Sequence, residues 1–188
     1  GTYTYTVIDN QNCSFTNTIT ITEPQELLVS ENISNVLCKD ENSGSVILNI
    51  SGGTIPYNEN WGGFNPNALS DGSYSYVVTD ANSCTVSNQI QITEPDSLVS
   101  TIITTDAMCF GYSDGEITLQ AANGVGGYAY SIDGGINALS SGVFSGLSSG
   151  NYMVTIVDDN GCVQQDTYIL NQPSELMITS LMITSNYN

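Results

Sequence analysis

The chain has 188 residues, 19 acidic side chains, a single Lys or Arg and no His, so its net charge is −18. Lys39 is that one fixed cation, which excludes nucleic acid and anionic membrane surfaces as partners. The lack of His removes the commonest general base, metal ligand and pH switch. Hydrophobic residues make up 40% of the chain, which is enough for a packed core and is not typical of disorder.

A nine-residue pattern recurs along the chain. Gly1–Asp9 reappears as Gly72–Asp80 and again as Gly150–Asp158, and a cysteine follows the first Tyr of each copy by ten positions. Glu-Pro or Gln-Pro closes each copy. Cys38 and Cys109, which lie 71 positions apart, mark an earlier point in two copies. These landmarks predict tandem repeats of about 71–78 residues.

The register of the landmarks divides the chain into four segments. Residues 1–24 are the C-terminal part of a truncated repeat, 25–95 and 96–173 are complete repeats, and 174–188 are the first strand of the next. Seven extra residues fall between Tyr128 and Gly150, where Gly and Ser predict a lengthened surface loop. Because the terminal pieces do not complete each other, we expect the parent protein to continue in both directions.

Each complete repeat is predicted to be a small all-β unit. In the first, apolar runs of strand length lie at Leu27–Val36, Ser45–Ile50, Ser73–Thr79 and Thr85–Thr93, with Gly- and Asn-rich turns between them. Short strands at this spacing predict an immunoglobulin-like β-sandwich. The pattern Leu-x-x-Gly-x-Tyr also predicts a tyrosine corner, in which the hydroxyl bonds to a nearby backbone group. The pattern occurs at Tyr74 and Tyr152, and Tyr3 is the equivalent tyrosine of the truncated repeat.

The five cysteines recur at two repeated positions, which favours disulfides over free buried thiols. We predict one intradomain bridge in each complete repeat, Cys38–Cys84 and Cys109–Cys162, and a bridge from Cys13 to a residue outside the sequence. Such bridges imply an oxidising compartment outside the cytoplasm. Without His or a Cys-x-x-Cys pair, a zinc site or a cysteine nucleophile is disfavoured.

The acidic residues recur with the repeats and form no singular catalytic pair, so we predict no enzyme activity and no catalytic residues. Their expected role is in solvated surfaces and hairpin turns. Calcium is the alternative, since Ca²⁺ binds carboxylates and carbonyls in loops. Its candidate ligands are Asp40, Glu41, Asp114, Asp158 and Asp159.

Two aromatic residues lie beside glycines in the first complete repeat. Tyr57 and Trp61 precede Gly62-Gly63, and aromatic rings in such a setting could form a platform for a sugar. The alternative interpretation is that both rings belong to the core and rim of the sandwich.

The ordered landmarks resemble the SprB repeat of Bacteroidota surface proteins. The pattern comprises Cys38 and Gly44, Gly52-Gly53, Pro56-Tyr57, the Leu69, Gly72 and Tyr74 set, Asp80 and Cys84, and Glu94-Pro95. The second repeat departs from it at Gly127-Tyr128 and at Gln172-Pro173. The resemblance implies a very large tandem-repeat adhesin, exported by type IX secretion and moved by the gliding machinery, whose repeats form a stalk or filament.

The leading hypothesis is therefore a structural segment of an extracellular adhesin, at the cell surface or secreted. Its expected partners are neighbouring repeats of the same chain and a surface polysaccharide or substratum, with no cofactor and no membrane insertion. The alternatives are a carbohydrate-binding module or a spacer of a secreted multidomain protein, including a spacer rigidified by calcium. Whether chains assemble laterally is left open.

Overall fold

We describe a computed structural model of the chain over residues 1–182. Within this range the structure is all-β, and it has no helix that could cross a membrane. The strands are β1 (Thr2–Ile8), β2 (Ser14–Thr20), β3 (Leu28–Ser34), β4 (Ser45–Ser51), β5 (Asn58–Asn60), β6 (Gly72–Thr79), β7 (Thr85–Ile92), β8 (Val99–Thr105), β9 (Gly115–Ala122), β10 (Tyr128–Ser131), β11 (Val143–Leu147), β12 (Gly150–Asp158) and β13 (Val163–Leu170).

The chain forms two compact units. The first comprises Gly1–Ser34 and Gly44–Ile92, and the second comprises residues 35–43 together with the described residues from Thr93 onward. Segment 35–43, which connects β3 to β4, thus belongs to the second unit.

The first unit contains two facing antiparallel sheets. β3 pairs with β4, and β6 pairs with both β5 and β7. Tyr74, Tyr76 and Val78 alternate along β6 and are all buried, because successive strand residues point to opposite faces. β3 contacts β7, so the core lies between the two sheets.

The second unit repeats this plan with an additional strand. Its sheets have the orders β11-β9-β8 and β10-β12-β13, and β8 contacts β13. Burying each large apolar side chain of its core contributes about 1.5–3 kcal/mol. The buried core residues are Ile117, Leu119, Tyr130, Val154, Ile156 and Leu170.

The N-terminal hairpin of β1 and β2 has the same sequence pattern as β6 and β7 but a different environment. Tyr3 and Tyr5 are 58% and 45% exposed, whereas the equivalent Tyr74 and Tyr76 are buried. All fourteen residues of β1 and β2 are exposed. Among the described residues, this hairpin therefore lacks the facing sheet that covers its counterpart.

The predicted fold class, all-β with immunoglobulin-like sandwich repeats, is confirmed. That prediction also paired the cysteines within each sequence repeat, and this pairing is wrong and is corrected below. The repeat boundaries stay a prediction. Residues 174–182 form no strand in the structure, and the remainder of the predicted terminal strand, 183–188, lies outside the described residues.

Candidate functional site

Residues 35–43, hereafter the bridged loop, are held against the segment that follows β7. The Val36 amide donates to the Thr93 carbonyl over 3.0 Å, and the Thr93 amide donates to Asn35 Oδ1 over 3.1 Å. The Val36 side chain is buried. Inside the loop, the Leu37 amide donates to Ser43 Oγ over 2.9 Å. These bonds fix the backbone around Cys38.

Cys38 forms a disulfide with Cys162, which lies in the turn between β12 and β13. The two Cα atoms are 5.5 Å apart, and the cysteines are 124 positions apart in sequence. Beside the bond, the Asn160 side-chain amide donates to the Leu37 carbonyl over 2.9 Å. The loop is therefore attached to this turn covalently and by a hydrogen bond, both within the second unit.

The only Lys of the chain also lies in the bridged loop. Lys39 Nζ forms an ion pair with Glu94, whose side chain is 11% exposed. The Asp40 amide donates to Glu94 Oε2 over 2.9 Å. Glu94 thereby accepts from the loop with both carboxylate oxygens. A cleft of about 380 Å³ adjoins these groups and is lined in part by Asp40, Glu41 and Asp96.

The predicted Cys38–Cys84 and Cys109–Cys162 bridges are wrong, because the two cysteines of one repeat lie at opposite ends of its sandwich. In the second unit, Cys109 follows the end of β8, beside Asn171, where the Ala107 amide donates to the Asn171 carbonyl. Cys162 lies in the turn that follows β12. The eight residues of β13 between these ends span roughly 26 Å, far beyond the reach of a disulfide.

The same geometry separates Cys84 from Cys38. The turn that carries Cys84 contacts Gly53 and Thr54, which follow the end of β4, whereas Cys38 follows the end of β3. Because β3 and β4 are antiparallel, those two places are opposite ends of one sheet. Among the described residues, Cys13, Cys84 and Cys109 are exposed and unbonded. The predicted outside partner of Cys13 is not tested.

The turns that carry Cys84 and Cys162 are built on one buried carboxylate each. Asp80 Oδ1 accepts from the Asn82 and Cys84 amides over 2.9 and 2.8 Å, and Oδ2 accepts from Thr54 over 2.9 Å. Burial raises the pKa of Asp80, but the hydrogen bonds donated by the backbone amides of Cys84, Thr54 and Asn82 outweigh this effect. They hold the pKa of Asp80 below its ordinary value. Gly53 has φ +58°, and a Cβ there would meet Asp80, so the close approach requires glycine.

Asp158 repeats this arrangement at the bridged turn. Its Oδ1 accepts from the Asn160 and Cys162 amides over 3.0 and 2.9 Å, and its Oδ2 accepts from Val125 over 2.9 Å. At Gly124, φ is +67° and a Cβ would lie 2.6 Å from Asp158 Oδ2. The carboxylate thus orders the backbone that presents Cys162.

The calcium candidates are dispersed among such structural roles. Asp159 accepts from the Gly127 amide over 2.8 Å, and Asp114 accepts from Met108 over 3.1 Å. Asp40 and Glu41 lie on the bridged loop, and Asp158 belongs to the turn described above. Over residues 1–182, no three His, Cys, Asp or Glu side chains are grouped to hold a metal ion. Calcium binding stays an untested prediction.

Two of the three predicted corner tyrosines make the expected hydrogen bond. The Tyr74 hydroxyl donates to the Ser70 carbonyl over 3.2 Å, and the Tyr152 hydroxyl donates to Ser148 over 2.7 Å. Each acceptor lies four residues upstream. For Tyr3 that position precedes Gly1, and its ring is exposed. Phe64 packs edge-on against Tyr74, with ring centroids 5.0 Å apart.

The candidate sugar-binding aromatics take part in packing. Trp61 is 6% exposed and lies against Tyr76, with ring centroids 5.1 Å apart. Its indole N–H donates to Glu59 over 3.4 Å. Tyr57 is half-buried, and its hydroxyl donates to the Gly52 carbonyl over 2.5 Å. The burial of Trp61 therefore disfavours a sugar platform at this ring, and ligand binding by Tyr57 and Trp61 stays an untested prediction.

Sequence reasoning missed two members of the bridged site, Glu94 and Asn160. The repeat pattern marks Glu94 only as part of a closing dipeptide, and it does not single out Asn160. Their repeat equivalents gave a signal, because Glu94 corresponds to Gln172 and Asn160 to Asn82. Side chains with equivalent hydrogen-bonding groups at fixed offsets from both cysteines indicate a structured loop and turn.

Two segments of the chain, residues 30–61 and 101–137, match the SprB repeat family, which confirms the resemblance for those segments. No curated protein matches the chain. One similar solved structure is a C-terminal 282-residue fragment of intimin in complex with the intimin-binding domain of the translocated intimin receptor. The identity is 15% and the TM-score 0.29, and the similarity covers 92% of this chain and 57% of that one. The chain thus spans little more than half of the fragment.

Proposed function

Because residues 30–61 and 101–137 are SprB repeat segments, we propose that the chain is a structural segment of a large extracellular surface adhesin or filament. In this role it supports adhesion and gliding motility by transmitting force between the cell and a substratum. Its work is mechanical, and it catalyses no reaction.

The observation that carries this proposal is the Cys38–Cys162 bond, which joins cysteines from two successive sequence copies. A bond between residues 124 positions apart prevents the intervening chain from being drawn out when the ends are pulled. Repeat arrays are quasi-one-dimensional, so load passes along them from copy to copy. A covalent link between copies suits a segment that carries tension.

The roles of the acidic residues support the same proposal. Asp80 and Asp158 accept the same set of backbone amides at equivalent positions, which is a structural use repeated in each copy. A catalytic carboxylate needs an environment matched to one reaction and is seldom duplicated along a chain. Net charge far from zero also keeps a long array soluble.

The same bond supports an extracellular location. Disulfides persist in oxidising environments and are rare in the cytosol. We therefore place the chain outside the cytoplasm, at the cell surface or secreted, with export by type IX secretion as the resemblance implies. The carbohydrate-binding alternative is weakened because its main candidate ring, Trp61, is buried.

Antibodies raised against the purified chain test the location and the adhesive role. They should label intact cells of the species that encodes the chain, and their Fab fragments should reduce attachment of those cells to glass. Beads coated with the Fab fragments should move along cells if the adhesin is driven by a gliding motor. Labelling only after permeabilisation contradicts a surface role, and labelled cells with unchanged attachment contradict adhesion.

Single-molecule stretching tests the mechanical role. With the Cys38–Cys162 bond intact, the chain should unfold with a contour length shorter by about 400 Å than after reduction, at about 3.3–3.6 Å for each of the 124 positions that the bond spans. The Cys109→Ser variant is the matched control and should stretch as the unmodified chain does. Equal contour lengths before and after reduction contradict a load-limiting bond.

A further inference from the structure

We infer that Cys109 is a disulfide site for the turn cysteine of a following SprB copy, and that Cys84 is the matching site for the loop cysteine of a preceding copy. The bond seen once, between Cys38 and Cys162, is then one link of a series in which each copy is joined covalently to the next. The inference rests on the proposed function in requiring copies in series, and it adds the chemistry that joins them.

The first argument is that residues 106–114, hereafter the open loop, have the geometry of the bridged loop. The Ala107 amide donates to Asn171 over 3.1 Å, as Val36 does to Thr93 over 3.0 Å. The Gly111 amide donates to Gln172 over 2.8 Å, as the equivalent Asp40 does to Glu94.

Internal bonds and backbone angles of the two loops also agree. The Tyr112 amide donates to the Cys109 carbonyl over 3.2 Å, as Glu41 does to Cys38 over 3.3 Å. Gly111 and Asp40 both have positive φ, of 76° and 62°. Cys109 is therefore held in the backbone setting in which Cys38 is bonded, but it is exposed and unbonded within the described range.

The second argument is that the turn of Cys84 matches the turn of Cys162. The Asp80 amide donates to the Cys84 carbonyl over 3.0 Å, and Asp158 does so to Cys162 over 3.1 Å. The residues before the two cysteines, Ser83 and Gly161, have φ of 66° and 83°. Ser83 is a non-glycine residue in the left-handed region, and the turn keeps this conformation without a disulfide at Cys84.

The third argument comes from the surface next to Cys109. A cleft of about 350 Å³ lies there, lined by Met108, Phe110, Pro173 and Leu176 among others. Met108 and Leu176 are 78% and 95% exposed. The equivalent of Leu176 is Leu98, which packs against the core of the second unit. Next to Cys38, the equivalent places are occupied by the turn of Cys162 and the core of the second unit. The occupant that fits the cleft beside Cys109 is therefore the turn and core of a further SprB copy.

Forming the bond removes two protons and two electrons from two thiols as one S–S bond is made. The acceptor is a small-molecule or protein disulfide, which is reduced to two thiols by exchange through a mixed disulfide. Pairing of Cys109 with Cys162 is excluded by their positions at opposite ends of one sandwich. The reaction therefore needs a second copy to supply the turn.

The test uses the full chain with residues 96–173 repeated after Pro173 in place of 174–188. The extended chain is folded in a glutathione redox buffer, its thiols are alkylated, and its non-reduced peptides are analysed by mass spectrometry. We expect the Cys38–Cys162 bond and a second bond from Cys109 to the appended counterpart of Cys162. Cys13, Cys84 and the appended counterpart of Cys109 should carry the alkyl label.

The Cys109→Ser variant of the extended chain is the matched control. It should keep the Cys38–Cys162 bond and gain an alkylated thiol at the appended counterpart of Cys162. Alkylated Cys109 in the unmodified extended chain overturns the inference, as do a Cys109–Cys162 bond, disulfide-linked multimers or the loss of the Cys38–Cys162 bond. Surface labelling and cell attachment do not depend on the state of Cys109, so these two assays judge the proposed function separately.

Discussion

The bridged loop 35–43 and the open loop 106–114 have the same backbone hydrogen bonds, but only the first contains a disulfide-bonded cysteine. The conformation of the loop therefore does not depend on the bond. Each loop is shaped by its contacts with the residue pair that closes its own copy, Thr93-Glu94 or Asn171-Gln172. The bond depends on what faces the loop, which is a turn from another copy.

This comparison predicts unequal effects for two Cys→Ser substitutions. Cys162→Ser removes a bond that closes 124 positions, and the chain-entropy model gives a loss of about 5 kcal/mol in the free energy of unfolding. Cys109→Ser alters an exposed, unbonded thiol and should change that free energy by less than about 0.5 kcal/mol.

The free energy of unfolding of both variants is measured by urea unfolding, monitored through hydrogen exchange of the amides in β12 and β13. Cys38→Ser serves as a second control, because it removes the same bond from its other end and should match Cys162→Ser. Equal stability of the Cys162 and Cys109 variants would show that the bond does not stabilise the second unit.

The two cores differ at a second equivalent pair, Trp61 and Ile132. Trp61 is buried against Tyr76 in the first unit, whereas Ile132 is half-buried at the edge of the second core. Trp61→Ala should therefore destabilise the first unit by about 3–5 kcal/mol. Ile132→Ala should cost the second unit less, because less apolar surface is removed from its core.

Circular dichroism with hydrogen exchange in β6 and β9 assigns each loss to its unit. A Trp61→Ala variant as stable as the unmodified protein would contradict the packing role of this ring. It would also reopen the interpretation of Trp61 as part of a ligand platform.

Much of the fold could be predicted because strand patterning is local. The predicted strands Ser73–Thr79 and Thr85–Thr93 differ from β6 and β7 by one residue at one end each. The tyrosine-corner geometry of Tyr74 and Tyr152 followed from Leu-x-x-Gly-x-Tyr for the same reason.

The disulfide partner could not be predicted because it depends on which end of the sandwich each cysteine occupies. The end of the sandwich at which a cysteine lies is found by counting how many times the chain reverses direction before it. The three-residue β5 (Asn58–Asn60) has no apolar pattern, so the sequence does not reveal this strand. Without β5 the count is off by one, and Cys84 is placed beside Cys38. A polar strand of this length is specified by its pairing with β6, which is a tertiary contact.

A smaller effect is expected at the equivalent pair Tyr76 and Val154. The Tyr76 hydroxyl donates to Glu31 over 2.5 Å, whereas Val154 has no polar group. Burial and this bond raise the pKa of Tyr76 to about 12, and the bonds from Tyr76 and Asn88 lower the pKa of Glu31. Tyr76→Phe should cost about 1.5–3 kcal/mol, the range for a hydrogen bond to a charged group.

The sign of the pH dependence follows from the raised pKa of Tyr76. Its contribution to stability is complete below the unfolded pKa of about 10 and is lost as pH rises through about 12. The Tyr76→Phe variant should lack this alkaline component. Denaturant titrations at neutral and alkaline pH measure it, and parallel stability curves for both proteins would contradict it.

The smallest effect concerns the lengthened loop of the second copy, where Asp133 replaces the equivalent Gly62. Asp133 Oδ1 accepts from Ser131 Oγ and from the Asn137 amide, the latter over 3.0 Å. These bonds, the one from Ser131 first, lower the pKa of Asp133 to about 2. In the first copy, the neutral Asn60 side chain accepts from the Gly62 amide over 2.9 Å, so that turn has no titrating group of this kind.

Because the folded pKa of Asp133 lies below the unfolded value of about 4, its stabilisation is present above pH 4 and is lost as pH falls through about 2. Asp133→Asn should therefore lower the stability of the second unit at pH 6 and leave it nearly unchanged at pH 2. Asn60→Ala is the matched change in the first unit, and its effect should not vary over this range. Carboxyl-carbon NMR titration locates the midpoint directly. A midpoint near 4 for Asp133 would mean that the lengthened loop is not held by this carboxylate, and that the two copies close this turn in the same pH-independent way.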